Sequence, residues 1–408
     1  MTAQDSLQIA SNWRLTTRRA VLSALLGTGI ALCGHWSSLS FTSSTPELLD
    51  ANRREELNAA IQESLDALAR RQNEDGSFGA PAELFGRDPA VAALCGLAFL
   101  ASGSRPNRGR YGKELALIAR FLTNRAMKTK GKRAAEAFEN LDEKTRRATF
   151  DYLQENNLSH EDVDGLVADF SEKGRKPTYG HGFATLFLAE LLGTTENDEL
   201  RATTRAAVDF IVRTQNTAGG WRYEPKCVAV ADLSVTTCLL SALRSAHNAG
   251  LYVPQETISN AENFILSLQN LDGGFRYVEL AGASGYSRTA AALHALQSGG
   301  QDASEATARA FRYLEKVYSF RQENNDGNPK LEYWSYGQFY AALDYWRAAI
   351  DEETRERFRL FYRKLTRDAL ARRGTDGLWH STTSTEAETA FILCALSVPQ
   401  EKTPFFLR

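Results

Sequence analysis

The chain has 408 residues, 43% of them hydrophobic and 24% charged, with a formal net charge of −2 at pH 7. This is the composition of a globular protein, and its balanced charge gives no electrostatic case for binding nucleic acid or an acidic membrane surface. With only 10 prolines and long Ala-, Leu-, Arg- and Glu-rich stretches, the sequence favours helix over sheet.

Residues 1–45 differ from the rest. In "TTRRAVLSALLGTGIALC", Arg18 and Arg19 directly precede an apolar run. At about 14 residues the run is short for a membrane span and suited to a signal segment. Thr17-Arg18-Arg19 resembles the twin-arginine export signal of bacteria, which is read by a receptor. Gly29 and Ala31 offer a cleavage site, and Ser/Thr-rich sequence follows to Pro46. The expectation is an export signal with a flexible linker over 1–45, a periplasmic or cell-envelope location, and no stable membrane span after removal. An uncleaved N-terminal anchor is the alternative. Of the five cysteines, Cys95, Cys238 and Cys394 sit in apolar helical runs and read as core residues. Cys227 is alone in a loop and Cys33 follows a leucine too large for a lipoprotein site. No C-x-x-C spacing occurs, so neither a disulfide framework nor a structural zinc is indicated, and no cofactor or metal is expected.

From residue 46 onward the chain repeats itself. "RRQNEDGSFG" begins at Arg70, "RTQNTAGGWRY" at Arg213, "SLQNLDGGFRY" at Ser267, "FRQENNDGN" at Phe320 and "ARRGTDGLWH" at Ala371. Gln215, Gln269, Gln322 and Arg373 open the last four copies at intervals of 54, 53 and 51 residues, and Gln72 opens the first. A fixed period signals a repeat architecture. Before the turn at 270–274, residues 258–269 place Ile258, Ala261, Phe264, Ile265 and Leu268 on one helical face. After it, residues 284–300 are apolar almost all round, and a helix without a polar face must be buried. Each unit is therefore one outer helix, one turn and one inner helix. Pairs fall at 53–72 with 88–103, 109–128 with 180–193, 197–215 with 231–249, 254–269 with 284–298, 302–318 with 332–349 and 351–371 with 383–396. Six such pairs predict an all-α fold, an (α/α)6 toroid over 46–408. Closure explains why neither end carries a polar capping repeat. Gln72, Gln215 and Gln269 are expected to satisfy helix-end groups of the adjacent unit. Phe78, Trp221, Phe275 and Trp379 are expected to anchor neighbouring units.

The second pair is irregular. A charged insertion at about 129–177 separates its helices, with helical patterns at 134–155 and 160–170 and Ser159 as an N-cap answered by Asp162. It reads either as a lid or protein-contact surface or as solvated decoration. "DVDG" at 162–165 is taken as part of this insertion.

The turns resemble the Q-x-x-D-G-x-W repeat of squalene cyclases and of protein prenyltransferase β subunits, over about residues 50–408. "TYGHGFATLFLAELLG" (178–193), "DLSVTTCLLSALRSAHNAG" (232–250) and the ending "PFFLR" are similar to exported bacterial members of the squalene-cyclase-like group. The resemblance implies a toroid whose chemistry, if any, lies at the inner-helix N-termini. Aligning the inner helices on Leu97, Leu192, Leu243, Leu296, Leu343 and Leu396 puts Ala90, Thr185, Thr236, Thr289, Tyr336 and Thr389 in one register, where local packing explains the threonines. Asp232-Leu233-Ser234-Val235-Thr236 stands where the cyclases have D-x-D-D-T, and Ser234 replaces the proton donor. The prenyltransferase zinc ligands fall on Leu233, Val235 and Arg288. Neither chemistry is expected here.

What remains polar or aromatic at the inner-helix N-termini forms the candidate set. His181, Asp232 and Glu332 are expected at the rim, either as a metal or carboxylate site or as caps and solvated groups. Glu386 and Glu388 are a carboxylate pair, although residues two apart do not face each other on a helix. Trp334, Tyr336 and Tyr340 either line a pocket or fill the centre. Tyr179, Ser234 and Tyr286 share this end of the barrel. Two functions follow: a binding toroid for a hydrophobic small molecule, glycan or peptide, or an enzyme of the terpenoid-cyclase superfamily with a relocated active site.

Overall fold

The computed structural model describes residues 48–79, 87–127, 143–170, 176–226, 230–300, 302, 304–320, 331–403 and 405. The export segment, Cys33, Cys227, the turn copy containing Gln322 and the first part of the insertion lie outside them. The described residues form thirteen α-helices and no strand. They are α1 (Ala51–Ala69), α2 (Pro89–Ala101), α3 (Gly112–Asn124), α4 (Glu143–Glu155), α5 (Pro177–Leu192), α6 (Asp198–Thr214) and α7 (Leu233–Asn248). Then come α8 (Gln255–Ser267), α9 (Tyr286–Ser298), α10 (Glu305–Val317), α11 (Trp334–Ala348), α12 (Glu352–Arg372) and α13 (Thr385–Ser397).

Six of these, α2, α5, α7, α9, α11 and α13, pack each against the next, and α13 packs back on α2. They are buried on nearly every face, as in α2, where all but one residue is buried. The outer helices α1, α3, α6, α8, α10 and α12 each bury one stripe. In α10 the stripe is Thr307, Ala310, Phe311 and Leu314, and Ser304 caps the helix by accepting from the Thr307 amide at 3.2 Å. The expected toroid is therefore the observed one.

The repeated turn fastens each unit to the next. Gln215 Nε2 donates to the carbonyls of Gly219 (2.7 Å) and Thr257 (2.8 Å), and Thr257 lies in the first turn of α8. Gln269 does the same to Gly273 (3.0 Å) and Ala306 (2.8 Å) of α10. Gln72 reaches Glu114 of α3 at 3.1 Å. Gly273 has φ +90°, and a Cβ there would stand 2.5 Å from the Arg309 carbonyl oxygen, so only glycine allows this approach. The last turn closes the ring: Arg373 donates to Ser64 Oγ of α1 at 2.9 Å and pairs with Glu63 at 3.0 Å.

The insertion requires correction. The "DVDG" stretch is the missing second turn. An antiparallel bridge joins Gln72 to Phe78 and Gln269 to Phe275, and the same bridge joins Ala126 to Val167. Gly165 (φ +83°) lies on α6 as Gly273 lies on α10, with a Cβ position 2.0 Å from the Ala206 carbonyl oxygen. Five residues separate the bridge partners in the first and fourth units, and forty separate them here. The extra chain thus enters inside a turn, and its last part belongs to the core: Val163, Leu166, Val167, Ala168 and Phe170 are all buried. The helix expected at 160–170 is only a 3₁₀ turn, Glu161–Val163. Ser159 and Asp162 do exchange the reciprocal capping bonds, at 2.8 and 3.3 Å.

At the opposite end of the barrel, a 3₁₀ turn (Val398–Gln400) leads the chain back under the inner ring. The Phe405 amide donates to Glu190 Oε2 at 2.9 Å, and its ring lies 5.9 Å from Phe339 and 5.4 Å from His294.

Candidate functional site at the mouth of the toroid

The turns deliver the N-termini of the inner helices to one end of the ring. The threonine register serves this construction. Thr236 Oγ1 accepts from the Trp221 amide (3.1 Å), Thr289 from that of Phe275 (3.0 Å) and Thr389 from that of Trp379 (3.0 Å). Each holds its own turn aromatic in place.

His181 performs that task in the second unit and does not reach the rim where sequence reasoning put it. It is fully buried, and its Nδ1 accepts from the Val167 amide at 2.9 Å. The proton therefore sits on Nε2, which donates to the Ala207 carbonyl at 3.1 Å, with Thr185 Oγ1 at 3.3 Å. Burial pushes its pKa down to about 3, so the ring is neutral.

Asp232 is the N-cap of α7. Its Oδ1 accepts from the Val235 amide at 2.9 Å, while Oδ2 is buried and has no hydrogen-bond partner. Burial raises its pKa to about 6. Around it stand groups the sequence reading missed. The hydroxyls of Tyr223 and Tyr277 are hydrogen-bonded to one another, and the Tyr277 carbonyl accepts from the Leu233 amide at 2.9 Å. Lys176 Nζ lies 3.9 Å from the Tyr223 ring centre, and the Arg222 guanidinium lies 5.7 Å from the same ring. The signal for these tyrosines was present, in the matching "GGWRY" and "GGFRY" at the ends of two turns. Ser234, the next polar residue along, is half-buried.

Below this rim the axis is crossed by aromatic side chains. Tyr179 of α5 and Tyr336 of α11 stand on opposite sides of the ring, both half-buried. Burial pushes the Tyr179 phenol well up, and the neighbouring Tyr336 adds to the shift. Tyr336 lies 4.9 Å from Tyr340 and 5.7 Å from Phe391, and Phe183 lies 5.7 Å from Phe391. Phe183, Phe339 and Tyr340 are fully buried. Tyr340 thus fills the centre, and Tyr179 with Tyr336 forms the floor of the mouth.

The other candidates are dispersed. Glu332 is exposed and contributes its carbonyl to Ser287 Oγ at 2.6 Å. Trp334 is buried under the Arg372 guanidinium, 4.5 Å from its ring centre. Tyr286 is buried and donates to Gln338 Oε1 at 3.3 Å. Glu386 is buried in the ring seam, accepting from Arg71 Nε at 2.6 Å and Ser384 Oγ at 3.1 Å. Glu388 points elsewhere, and burial raises its pKa beside Ser335 and Arg372. The structure therefore separates Glu386 from Glu388 and His181 from Asp232. Among the described residues no group of three His, Cys, Asp or Glu side chains is placed to hold a metal ion. Leu233 and Val235 are buried apolar residues and Arg288 is a cation, so these positions do not suit zinc.

Residues 181–344 match the family model of the squalene-hopene cyclase C-terminal domain. No curated protein matches the chain. Among solved structures, the GH76A α-1,6-mannanase from Salegentibacter sp. HEL1_6 is similar over 84% of this chain and 99% of its own, at 8% identity and TM-score 0.53. A wild-type glycosidase is similar over 87% and 100%, at 13% identity and TM-score 0.52. A type II terpene cyclase from Scytonema in complex with merosterolic acid A covers 85% and 98%, at 14% identity and TM-score 0.49. At these identities the two glycoside-hydrolysing neighbours share the fold alone. The family match supports a squalene-cyclase-like relationship for residues 181–344, and the solved structures share the toroid fold. The protein is an α/α toroid whose residues 181–344 are similar to the squalene-hopene cyclase C-terminal domain.

Proposed function

We propose that this toroid is a binding protein whose mouth takes a hydroxyl-rich ligand of the glycan class, and that it neither cyclises squalene nor prenylates a peptide. One observation carries the reading: the half-buried Tyr179 and Tyr336 at the inner-helix N-termini, with the hydrogen-bonded pair Tyr223 and Tyr277 packed beside the buried Asp232. A polyene offers no hydrogen-bonding group to the Tyr223 and Tyr277 hydroxyls. A sugar offers hydroxyls to the tyrosine hydroxyls and apolar C–H faces to the rings. The absent proton donor at Ser234 and the unsuitable zinc positions agree with this.

Glycan-array screening of the purified chain, followed by calorimetric titration of the best glycan, tests it. Tyr277→Phe and Asp232→Asn should each weaken binding about tenfold, a loss of about 1.4 kcal/mol. Tighter binding of an isoprenoid than of any glycan would overturn the reading.

A second reading, an enzyme with a relocated site, rests on Asp232 itself. With a pKa raised to about 6 and one free oxygen it has the properties of an acid–base group. Product formation from a bound glycan, abolished by Asp232→Asn, would convert the binding assignment into this one. We also propose export of the chain through the Arg18-Arg19 signal, and the insertion at about 129–177, apart from its buried stretch 163–170, as a protein-contact surface.

A further inference from the structure

We infer that the outer wall carries a second binding site, for an amphiphile with an anionic head. It is a pocket of about 520 Å³ where the sixth outer helix, α12, meets the first, α1. That volume lies within the range of about 300–1,000 Å³ typical of small-molecule sites.

The lining is divided by chemistry. Its buried part is apolar: Phe320 is 5% exposed, and Leu360 and Leu370 on α12 are half-buried beside it. Its cationic part comprises Arg53, Arg363, Lys364 and Arg367, against one acidic lining residue, Glu56.

These cations are not equally available. Lys364 is committed, buried against Asp368 at 2.9 Å. Arg53 shares the exposed Asp50 at 3.5 Å, and Arg367 is 3.7 Å from Asp368, which already accepts from Tyr318 and Lys364. Arg363 uses its Nε on the Leu48 carbonyl at 3.0 Å, and among the described residues no carboxylate pairs with it. The guanidinium groups of Arg363 and Arg367 therefore retain donors suited to a carboxylate or phosphate.

Thr366 gives an independent pointer. It is 4% exposed, lines the pocket, and its Oγ1 is buried without a hydrogen-bond partner. A hydroxyl in that state calls for a polar atom from a ligand. A free inorganic anion would satisfy the arginines and leave Phe320, Leu360 and Leu370 uncovered. An uncharged hydrocarbon would cover these and leave Arg363 unpaired. An amphiphile satisfies both, and its head is either a fatty carboxylate or a lipid phosphate.

The test is calorimetric titration of the purified full chain with dodecanoate, dodecyl phosphate, dodecanol and inorganic phosphate. At least one of the two anionic amphiphiles should bind one-to-one, at least tenfold more tightly than dodecanol or inorganic phosphate. The tighter of the two identifies the head as carboxylate or phosphate. Arg367→Gln should weaken binding about tenfold and leave the unfolding midpoint unchanged, since that side chain is 51% exposed. Leu360→Trp, which fills the pocket, should abolish binding while thermal melting shows the fold intact. The inference is overturned if neither amphiphile binds saturably, if inorganic phosphate or dodecanol binds as tightly, or if neither substitution changes the affinity. Tyr277→Phe serves to separate this site from the mouth: an effect on amphiphile binding would assign the ligand to the mouth and overturn the wall site.

Discussion

Replacing Phe275 by alanine tests the clamp that fastens one unit to the next. The ring is fully buried, and its backbone amide is held by Thr289 Oγ1 at 3.0 Å, so the side chain has no route to solvent and the turn has little freedom to collapse. Deleting a buried aromatic ring in such a place costs about 3–5 kcal/mol. Val167 occupies the same position in the second unit and is equally buried. Val167→Ala removes two carbons, about 1.6 kcal/mol at ~0.8 kcal/mol each, plus a cavity contribution that brings it to about 2 kcal/mol. The two variants should therefore both destabilise, in a ratio near two. Urea unfolding followed by tryptophan fluorescence and circular dichroism measures both, with shifted midpoints and unchanged slopes. A Phe275→Ala loss well below 1 kcal/mol would refute the clamp. A neutral Val167→Ala would refute the identification of residues 162–167 as the second turn.

Gln269→Ala removes the bonds to Gly273 and Ala306, and the same unfolding assay should show a loss of about 1–3 kcal/mol, at 0.5–1.5 kcal/mol per bond. Asp232→Asn should change the pH profile of stability: the folded pKa of about 6 lies above the ordinary value of 3.8, so ionisation costs stability as pH rises from 3.8 through 6. The variant keeps a capping side chain and should be relatively more stable than the parent by up to about 3 kcal/mol above pH 7 and equal to it below pH 4, by paired melts across that range. Incubation with squalene, or with a farnesyl donor, peptide and zinc, should give no product by mass spectrometry. Replacing Arg18 and Arg19 by lysine should leave the chain in the cytoplasm, and unchanged export would count against the twin-arginine reading.

The paired helices were legible because their physics is local. A stripe at Thr307, Ala310, Phe311 and Leu314 and the all-round apolar 286–298 state which helix is outside and which inside. The clamp was legible because Gln-Asn, glycine and an aromatic recur at fixed spacing. His181 was misplaced because a histidine beside two glycines reads as accessible. Its role depends on Val167, fourteen residues away in a turn that sequence alone did not reveal. Glu386 was read as a mouth carboxylate because its partner, Arg71, is contributed from the other end of the chain. Tyr223 and Tyr277 were passed over although their motif repeats, since helical periodicity does not say where a side chain beyond a turn points.

The second turn was hidden because it carries the geometry of the repeat without its residues. Ala126 stands in the glutamine position and Val167 in the aromatic one, with forty residues between them in place of five. Lengthening a closed loop eightfold costs only about 2 kcal/mol in chain entropy, because that cost grows with the logarithm of length. Contacts at the base of the insertion offset it. Arg125 and Asp169 form a buried ion pair at 3.1 Å, and Met127 exchanges backbone bonds with Gly165 and Leu166, both at 2.8 Å. Phe170 stacks on Tyr152 of α4 at 4.3 Å, so the inserted helix is tied to the same base. The His181 imidazole completes the join by taking the Val167 amide that a threonine takes elsewhere. A threonine hydroxyl reaches its turn amide from the fourth position of α7 or α9 or the fifth of α13, and His181 stands at the fifth of α5 with a longer reach. Thr185 still stands in the threonine register, but His181, one turn earlier, takes the turn amide, so the smaller side chain at 167 is met by a larger one at 181.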